Sequence, residues 1–392
     1  MNCHPVFARL FDRSDPLLVG TLSHDESGGA FQYDTGYLAS GSRALEPVQL
    51  RHRGSRPIKI KPTDREGIPG VLADTGPDGW GRKVLEQRLC HQPDALEALL
   101  LTPDDGAGRL TVGEKPPQHW PGLADLPELI KAPPLTALGG EKPKTTIQID
   151  GQLWIAKWPE HDDPPHLPFY EAAALRMASR LGMPAADSMV HQMPDGCYAL
   201  LVKRFDRLPD GTRLPFASAL TALGPGGQVL GSGRSYLALA SALVRWTRDA
   251  RAPAGLWPRI ALNGLLGNID DHPRNHGLLF QDGRWRLSPV FDVVPAYIRR
   301  EVVDLAMPFL QVGSRLSAVV SAQPLVQAAS AYGYDEETAR IWLKEAANRV
   351  VEEWHAVLEE LDAPAEVGWE TRYVGRGAAV IAMDSRQVCR QK

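Results

Sequence analysis

Apolar and polar positions alternate over Thr145–Ile149 and again over Leu153–Trp158, on either side of Asp150-Gly151. That pattern predicts two strands joined by a tight hairpin turn. Phe31–Tyr37 has the same strand character, with turns expected at Asp25–Gly29 and Arg53–Pro57, and Cys197–Phe205 is a further strand-like run. Phe169–Leu181 instead collects its apolar residues on one helical face and ends at Gly182, a natural helix stop. Val84–Leu101 is helical in part. From about residue 235 the chain is mostly helical in period, in Tyr236–Trp246, in Leu256–Leu266 and in a long run through Ile341, Leu343, Val350, Trp354, Leu358 and Leu361. Asp335 stands where the N-cap of that last helix is needed.

The punctuation divides these elements. Pro116-Pro117, Pro121-Gly122 and Pro133-Pro134 mark a boundary between residues 115 and 135. Before it, residues 1–125 read as a mixed, β-rich subdomain. Residues 126–207 read as a small lobe of order strand, strand, helix, strand, and residues 208–392 as a helical lobe. The expected fold class is α+β. No internal repeat and no low-complexity segment stands out.

Composition narrows the class without deciding it. With 392 residues, 43% hydrophobic and 23% charged, the chain is long enough for two or three domains of ordinary globular make-up. A net charge of −4 gives no sign of general nucleic-acid binding. Cys3, Cys90, Cys197 and Cys389 are scattered, with no metal-ligand spacing, which fits a reducing cytoplasm. The first residues lack a basic segment followed by an apolar core, and no apolar run is long enough to span a bilayer. Neither a signal peptide nor a membrane association is therefore expected.

The chemistry concentrates in Gly267-Asn268-Ile269-Asp270-Asp271-His272-Pro273-Arg274-Asn275-His276. Gly277–Phe280 and Arg284–Leu287 flank Gln281-Asp282-Gly283 as a predicted hairpin, and Asp292 follows it. An Asp, an Asn five residues on and a second Asp beyond a hairpin are what a kinase-type phosphoryl-transfer site requires. The first carboxylate takes the acceptor proton, and Asn275 and Asp292 hold magnesium. The plainer reading is a polar turn with Asp292 as a helix cap. Asp271 competes with Asp270 as base, but only Asp270 has the Asp-x-x-x-x-Asn spacing. His272 is read as bonding the loop backbone, with zinc ligation the alternative. Arg274 either meets the transferring phosphate or faces solvent.

Phosphoryl transfer also needs cations on the nucleotide. Lys157, in the strand Trp154-Ile155-Ala156-Lys157-Trp158, suits the ATP phosphates, with Glu171 of the next helix as its partner. Leu138-Gly139-Gly140-Glu141-Lys142-Pro143-Lys144-Thr145-Thr146 precedes that strand pair. Two glycines let backbone approach phosphate, and the lysines add charge, although alone this is also a plain turn.

These segments, with Tyr170-Glu171-Ala172-Ala173, Val202-Lys203-Arg204-Phe205-Asp206-Arg207 and Leu287-Ser288-Pro289-Val290-Phe291-Asp292, resemble the HipA family of bacterial serine/threonine kinases. Asp74-Thr75-Gly76-Pro77-Asp78-Gly79-Trp80-Gly81-Arg82 resembles that family's N-terminal signature. The resemblance runs in order over roughly residues 70–365. It implies a two-lobed kinase-like fold with an appended N-terminal β-rich subdomain. It also implies a toxin of a toxin–antitoxin system that uses ATP and Mg2+ to phosphorylate a protein, with aminoacyl-tRNA synthetases as the target class. A helix-turn-helix antitoxin is the implied partner, and DNA contact is expected only through it.

By motif, the resemblance makes Asp270 catalytic and Lys157 the ATP lysine. Asn275 and Asp292 become the magnesium ligands. Gly139, Gly140, Glu141, Lys142, Pro143, Lys144 and Thr145 become the phosphate loop, and Lys203, Arg204 and Phe205 the hinge beside adenine. Glu171, His272 and Arg274 complete the expected nucleotide site. Two departures stand out. Some members phosphorylate their own serine just before or within the loop. Here Ala137 and Leu138 precede it, and the nearest hydroxyls are Thr136, Thr145 and Thr146. The hinge carries Lys203 where an acidic residue is frequent.

Two rival functions fit parts of the pattern. A nuclease could use Asp270, Asp271, His272 and Asp292 on a metal pair, but would have no use for Lys157. A catalytically quiet regulator could act in a DNA-bound complex with its partner, helped by Arg51, Arg53, Arg56, Lys59 and Lys61, a cluster otherwise read as a solvated face.

Overall fold

The structure, a computed structural model, describes residues 2–10, 15–51, 54–62, 65–116, 118–224, 234–295, 303–365 and 367. Arg53 and Cys389 lie outside these. The strands that matter below are β1 (Asn2–Ala8), β2 (Leu17–Asp25), β3 (Gly28–Tyr33), β4 (Ile58–Ile60), β5 (Leu110–Val112), β6 (Lys144–Ile149), β7 (Gln152–Lys157), β8 (Ser188–Gln192), β9 (Tyr198–Lys203), β10 (Phe216–Ser218), β11 (Gly277–Gln281) and β12 (Arg284–Leu287). The chain divides into two compact units. One holds residues 1–162, 192–226 and 277–286, and the other 163–191, 227–276 and 287–392.

The first unit carries the β structure. A five-stranded sheet has the order β4-β3-β2-β1-β5, with antiparallel pairing of β1 with β2 and β5, and of β3 with β2 and β4. Its inner face buries Val6, Val19, Leu22 and Phe31. The strand expected over Phe31–Tyr37 stops at Tyr33. Asp34 caps a short helix, Thr35–Ala39, by accepting the Tyr37 N–H, a local bond that the alternating pattern does not reveal.

In the same unit β6, β7 and β9 pair antiparallel in the order β6-β7-β9. Asp150 (φ 49°) and Gly151 (φ 76°) turn the β6–β7 hairpin with both central residues left-handed, as a two-residue hairpin of the right twist requires. Ile147, Ala156, Trp158, Ala199 and Leu201 pack with Leu126 and Met193 beneath it. The expected order of strand, strand, helix, strand misses β8, a short strand between the helix and β9 whose residues alternate too weakly to mark it. The β11–β12 hairpin turns at Asp282 (φ 50°) and Gly283 (φ 78°), and β11 pairs with β10.

The second unit is mostly helical. Its helices include Leu167–Arg180, Tyr236–Thr247, Trp257–Leu266 and Glu336–Glu359. Trp257 is fully buried and donates its indole N–H to the Leu325 carbonyl at 2.8 Å, with the Trp342 ring edge-on at 5.3 Å. Asp335 caps the long helix through the Thr338 N–H at 2.8 Å, as expected. Arg180 at the end of one helix reaches Glu353 (2.9 Å) within the long helix and Glu360 (2.5 Å) at its C-cap.

Arg51, Arg56, Lys59 and Lys61 are all exposed. Cys3, Cys90 and Cys197 are exposed free thiols. Among the described residues no helix is long and apolar enough to cross a membrane.

Candidate active site

The loop after the Trp257–Leu266 helix separates its two neighbouring carboxylates. Gly267 ends the helix in the left-handed region (φ 70°), which an L-residue occupies only at a cost, and the Asn268 N–H returns to the Asn263 carbonyl at 2.8 Å. Ile269 and Asp270 then emerge exposed, while Asp271 is buried. The Asp271 carboxylate sits 3.1 Å from His276 Nε2 and accepts from Asn263 Nδ2. Tyr236 Oη is 3.2 Å from Asn263 Nδ2 and 3.3 Å from His276 Nε2. Asn268 Nδ2 donates to Asn263 Oδ1 at 3.0 Å. A buried carboxylate demands such partners, and here they anchor the loop from behind.

The front of the loop is ordered by Asp270's own backbone. Its carbonyl accepts the His272 N–H at 2.9 Å and Asn275 Nδ2 at 3.0 Å. A carbonyl can only accept, so the amide nitrogen of Asn275 must face it and the amide oxygen must face elsewhere. His272 accepts the Arg274 N–H through Nδ1 at 3.3 Å and caps the short Pro273–Asn275 turn, a backbone-bonding role. Arg274 is exposed.

Asp292 lies two residues beyond Val290 with a left-handed backbone (φ 58°), uncommon for a residue with a Cβ and favoured by Asp more than most. Arg259 is the one charged residue of the Trp257–Leu266 helix, and no motif marks it in the sequence. It is buried and donates from Nη2 to the Ser288 carbonyl at 2.5 Å, just before Asp292. Burial alone pulls its guanidinium down to about 10.

The other expected residues sit as follows. Lys157 is half-buried at the end of β7, and its backbone registers with Lys144 on one side and Leu200 on the other. Glu171 is buried on the Leu167–Arg180 helix. The loop Gly139–Thr145 includes Gly140 at φ 100°, a conformation open to glycine. Within it Gly139 and Glu141 are exposed, whereas Pro143 and Thr145 are buried. Lys144 is buried too and donates from Nζ to the Gly139 carbonyl at 2.6 Å, so its ammonium clips the loop closed. Lys142 lies 3.5 Å from Glu160.

At the expected hinge, Lys203 and Phe205 are half-buried, and Arg204 is buried. The Arg204 guanidinium is spent within the unit, on Asp206 (3.0 and 2.8 Å) and the carbonyls of Asp105 (2.5 Å) and Gly106 (2.8 Å). Burial lowers its pKa, but the Asp206 carboxylate outweighs that and the net shift is upward. Any nucleotide contact at Arg204 would therefore have to come from its backbone.

A hard cation such as Mg2+ takes oxygen ligands, commonly one or two from the protein and the rest from phosphate and water. The Asn275 amide oxygen, turned by its bond to Asp270, and the Asp292 carboxylate supply that donor chemistry. Asp271 and His276 do not join them, since each is held by the other.

The HipA-like C-terminal domain pattern matches residues 136–354, and the HipA N-terminal domain pattern matches residues 14–113. The chain belongs to the HipA family. Among solved structures, HipA of the Shewanella oneidensis MR-1 toxin–antitoxin system, determined with HipB and its operator DNA, superposes with a TM-score of 0.71 at 20% identity, covering 97% of each chain. The α+β, kinase-like fold class expected from the sequence stands. The proinflammatory kinase CtkA of Helicobacter pylori covers 64% of this chain and 93% of its own at 13% identity, with a TM-score of 0.47, too low to add to the argument. No curated protein matches.

Proposed function

We propose that this HipA-family chain is an ATP- and Mg2+-dependent protein kinase that phosphorylates a serine or threonine of a target protein. The observation that carries the reading is the split of Asp270 from Asp271. One carboxylate is exposed at the loop tip where a substrate hydroxyl can reach it, and its neighbour is buried as a brace. In this reading Asp270 orients the acceptor hydroxyl and takes its proton. Asn275 and Asp292 hold the metal, which when bound neutralises charge developing on the transferred phosphoryl group. Lys157 and the Gly139–Thr145 loop hold the nucleotide phosphates. The hinge at Lys203–Phe205 lies beside the base, with Lys203 as the departure from the family pattern.

The target class taken from the resemblance is a translation component, an aminoacyl-tRNA synthetase among the candidates. The Shewanella oneidensis HipA structure contains HipB and operator DNA, which supports a helix-turn-helix antitoxin as partner here, with DNA contacted through it. The metal-pair nuclease is disfavoured because its second carboxylate, Asp271, is engaged by His276 and Asn263.

The test uses purified protein, radiolabelled ATP, Mg2+ and a cell extract as the source of acceptors. Wild type labels a protein on serine or threonine, and Asp270→Gln and Asp292→Ala do not. Undiminished transfer by Asp292→Ala would overturn the assignment.

A further inference from the structure

The Asp74–Arg82 signature has no part in the reading above, yet it lies directly against the glycine loop. The Gly140 N–H donates to Asp78 Oδ1, and the Gly140 carbonyl accepts the Trp80 N–H at 2.9 Å. Both backbone groups of this loop residue are thus bonded to the start of the Gly79–Leu89 helix. The glycines of the signature mark the closeness of the approach. A Cβ on Gly79 (φ 42°) would meet the Gly140 oxygen at 2.6 Å, and one on Gly81 would meet the Thr136 and Leu138 oxygens, each at 3.0 Å. From the other side, a Cβ on Gly139 would meet Asp78 Oδ1 at 2.8 Å. The helix stays beside the segment along its length, through Lys83 to Glu141 at 3.1 Å and Arg88 to the Pro133 carbonyl at 2.7 Å. Asp105, also from the N-terminal region, accepts the Ala137 N–H at 2.7 Å and the Thr136 hydroxyl at 2.6 Å.

We infer that Asp78 is a positioning residue of the phosphate loop, and that the N-terminal HipA region exists in part to hold Leu138–Glu141 in its binding conformation. The inference rests on the assignment of Gly139–Thr145 as that loop. A flexible glycine loop must lose backbone freedom to bind phosphate, and a charge-assisted bond to Gly140 removes that freedom in advance. The carboxylate of Asp78 acts through the loop backbone and not on the nucleotide.

The experiment compares full-length wild type, Asp78→Ala and Asp78→Asn by hydrogen–deuterium exchange and by titration with a fluorescent ATP analogue in Mg2+. With Asp78→Ala, exchange over residues 138–141 accelerates while the Trp257–Leu266 helix keeps its protection. The dissociation constant of the analogue rises about tenfold, the loss expected of one charge-assisted hydrogen bond. Asp78→Asn, which keeps an uncharged acceptor, falls between the two and serves where the alanine variant does not fold. A wild type that binds nucleotide and variants that bind equally well or better, with unchanged loop exchange, overturn the inference alone. A wild type that binds no nucleotide overturns the phosphate-loop assignment and the inference with it.

Discussion

Asn275 donates its side-chain N–H to the backbone carbonyl of Asp270 at 3.0 Å, so the proposed metal ligand and the proposed base share one hydrogen-bonded ring. Replacing Asn275 by Asp keeps an oxygen for the metal but sets a carboxylate against a carbonyl that already accepts the His272 N–H. Two acceptors repel, and the loop must open. Phosphotransfer by Asn275→Asp is expected to fall about a hundredfold or more, the scale of losing an oriented electrostatic group at a reacting centre. Initial rates across a Mg2+ titration measure it. Full activity restored by excess Mg2+ would show that only metal affinity had changed and that the ring does not matter.

The two adjacent aspartates should separate activity from stability. Asp270 is exposed, so Asp270→Asn is expected to change unfolding free energy by less than about 0.5 kcal/mol while abolishing transfer. Asp271 is buried against His276 and Asn263, and Asp271→Ala takes the carboxylate from both, leaving them only the longer contacts to the Tyr236 hydroxyl, a loss of about 2–4 kcal/mol. Urea unfolding of the two variants side by side decides this. Equal stabilities would mean that the Asp271 network does not brace the loop.

Acid should weaken the first unit through Asp206. Burial raises this carboxyl, but Arg204 and Arg207 act more strongly and hold it well below the usual carboxylate range. Its stabilising effect is therefore complete above the unfolded value of about 4 and is lost as pH falls from there toward the folded value. Asp105 has the opposite sign, because burial raises it, so the wild-type profile alone mixes the two. The difference between wild type and Asp206→Asn isolates Asp206. It is expected to be about 3 kcal/mol at pH 7, where the buried arginines lose their counter-charge, and to shrink at pH 3. Urea midpoints at pH 7, 5 and 3 give the comparison, and a gap that does not narrow on acidification would refute it.

Much of this architecture was legible because its signals are local. Asp150-Gly151 and Asp282-Gly283 mark hairpins that the backbone builds with left-handed residues, and Asp335 marks a helix start by its capping oxygen. The spacing of Asp270 and Asn275 is likewise local, since a single turn closes their hydrogen bond. What escaped depends on distant partners. Asp78 and Gly140 are 62 residues apart, and Asp105 and Arg204 are 99 apart, so no window on the chain shows that they meet. The resemblance sets Arg204 among the nucleotide-binding residues, at the hinge beside adenine. Its guanidinium proves to be committed to a buried ion pair that only the folded unit reveals. The exposure of Asp270 and burial of Asp271 are equally invisible in a run where both are followed by polar residues.

The loop's hydroxyls should stay unmodified. Thr136 is fully buried and donates to Asp105 at 2.6 Å, and Thr146 is buried and donates to the same oxygen at 3.2 Å. Thr145 is buried as well. Transfer to Thr136 or Thr146 would break a bond to a buried carboxylate and place a phosphate of nearly two negative charges beside it. Ala137 and Leu138, which precede the loop, carry no hydroxyl and are themselves buried. Incubation of native protein with ATP and Mg2+, followed by peptide mass spectrometry, is expected to leave residues 136–146 free of phosphate. Phosphate on Thr136 would require the Asp105 anchor to open in the native state, and faster hydrogen exchange at Ala137, whose N–H the same carboxylate holds at 2.7 Å, would have to accompany it.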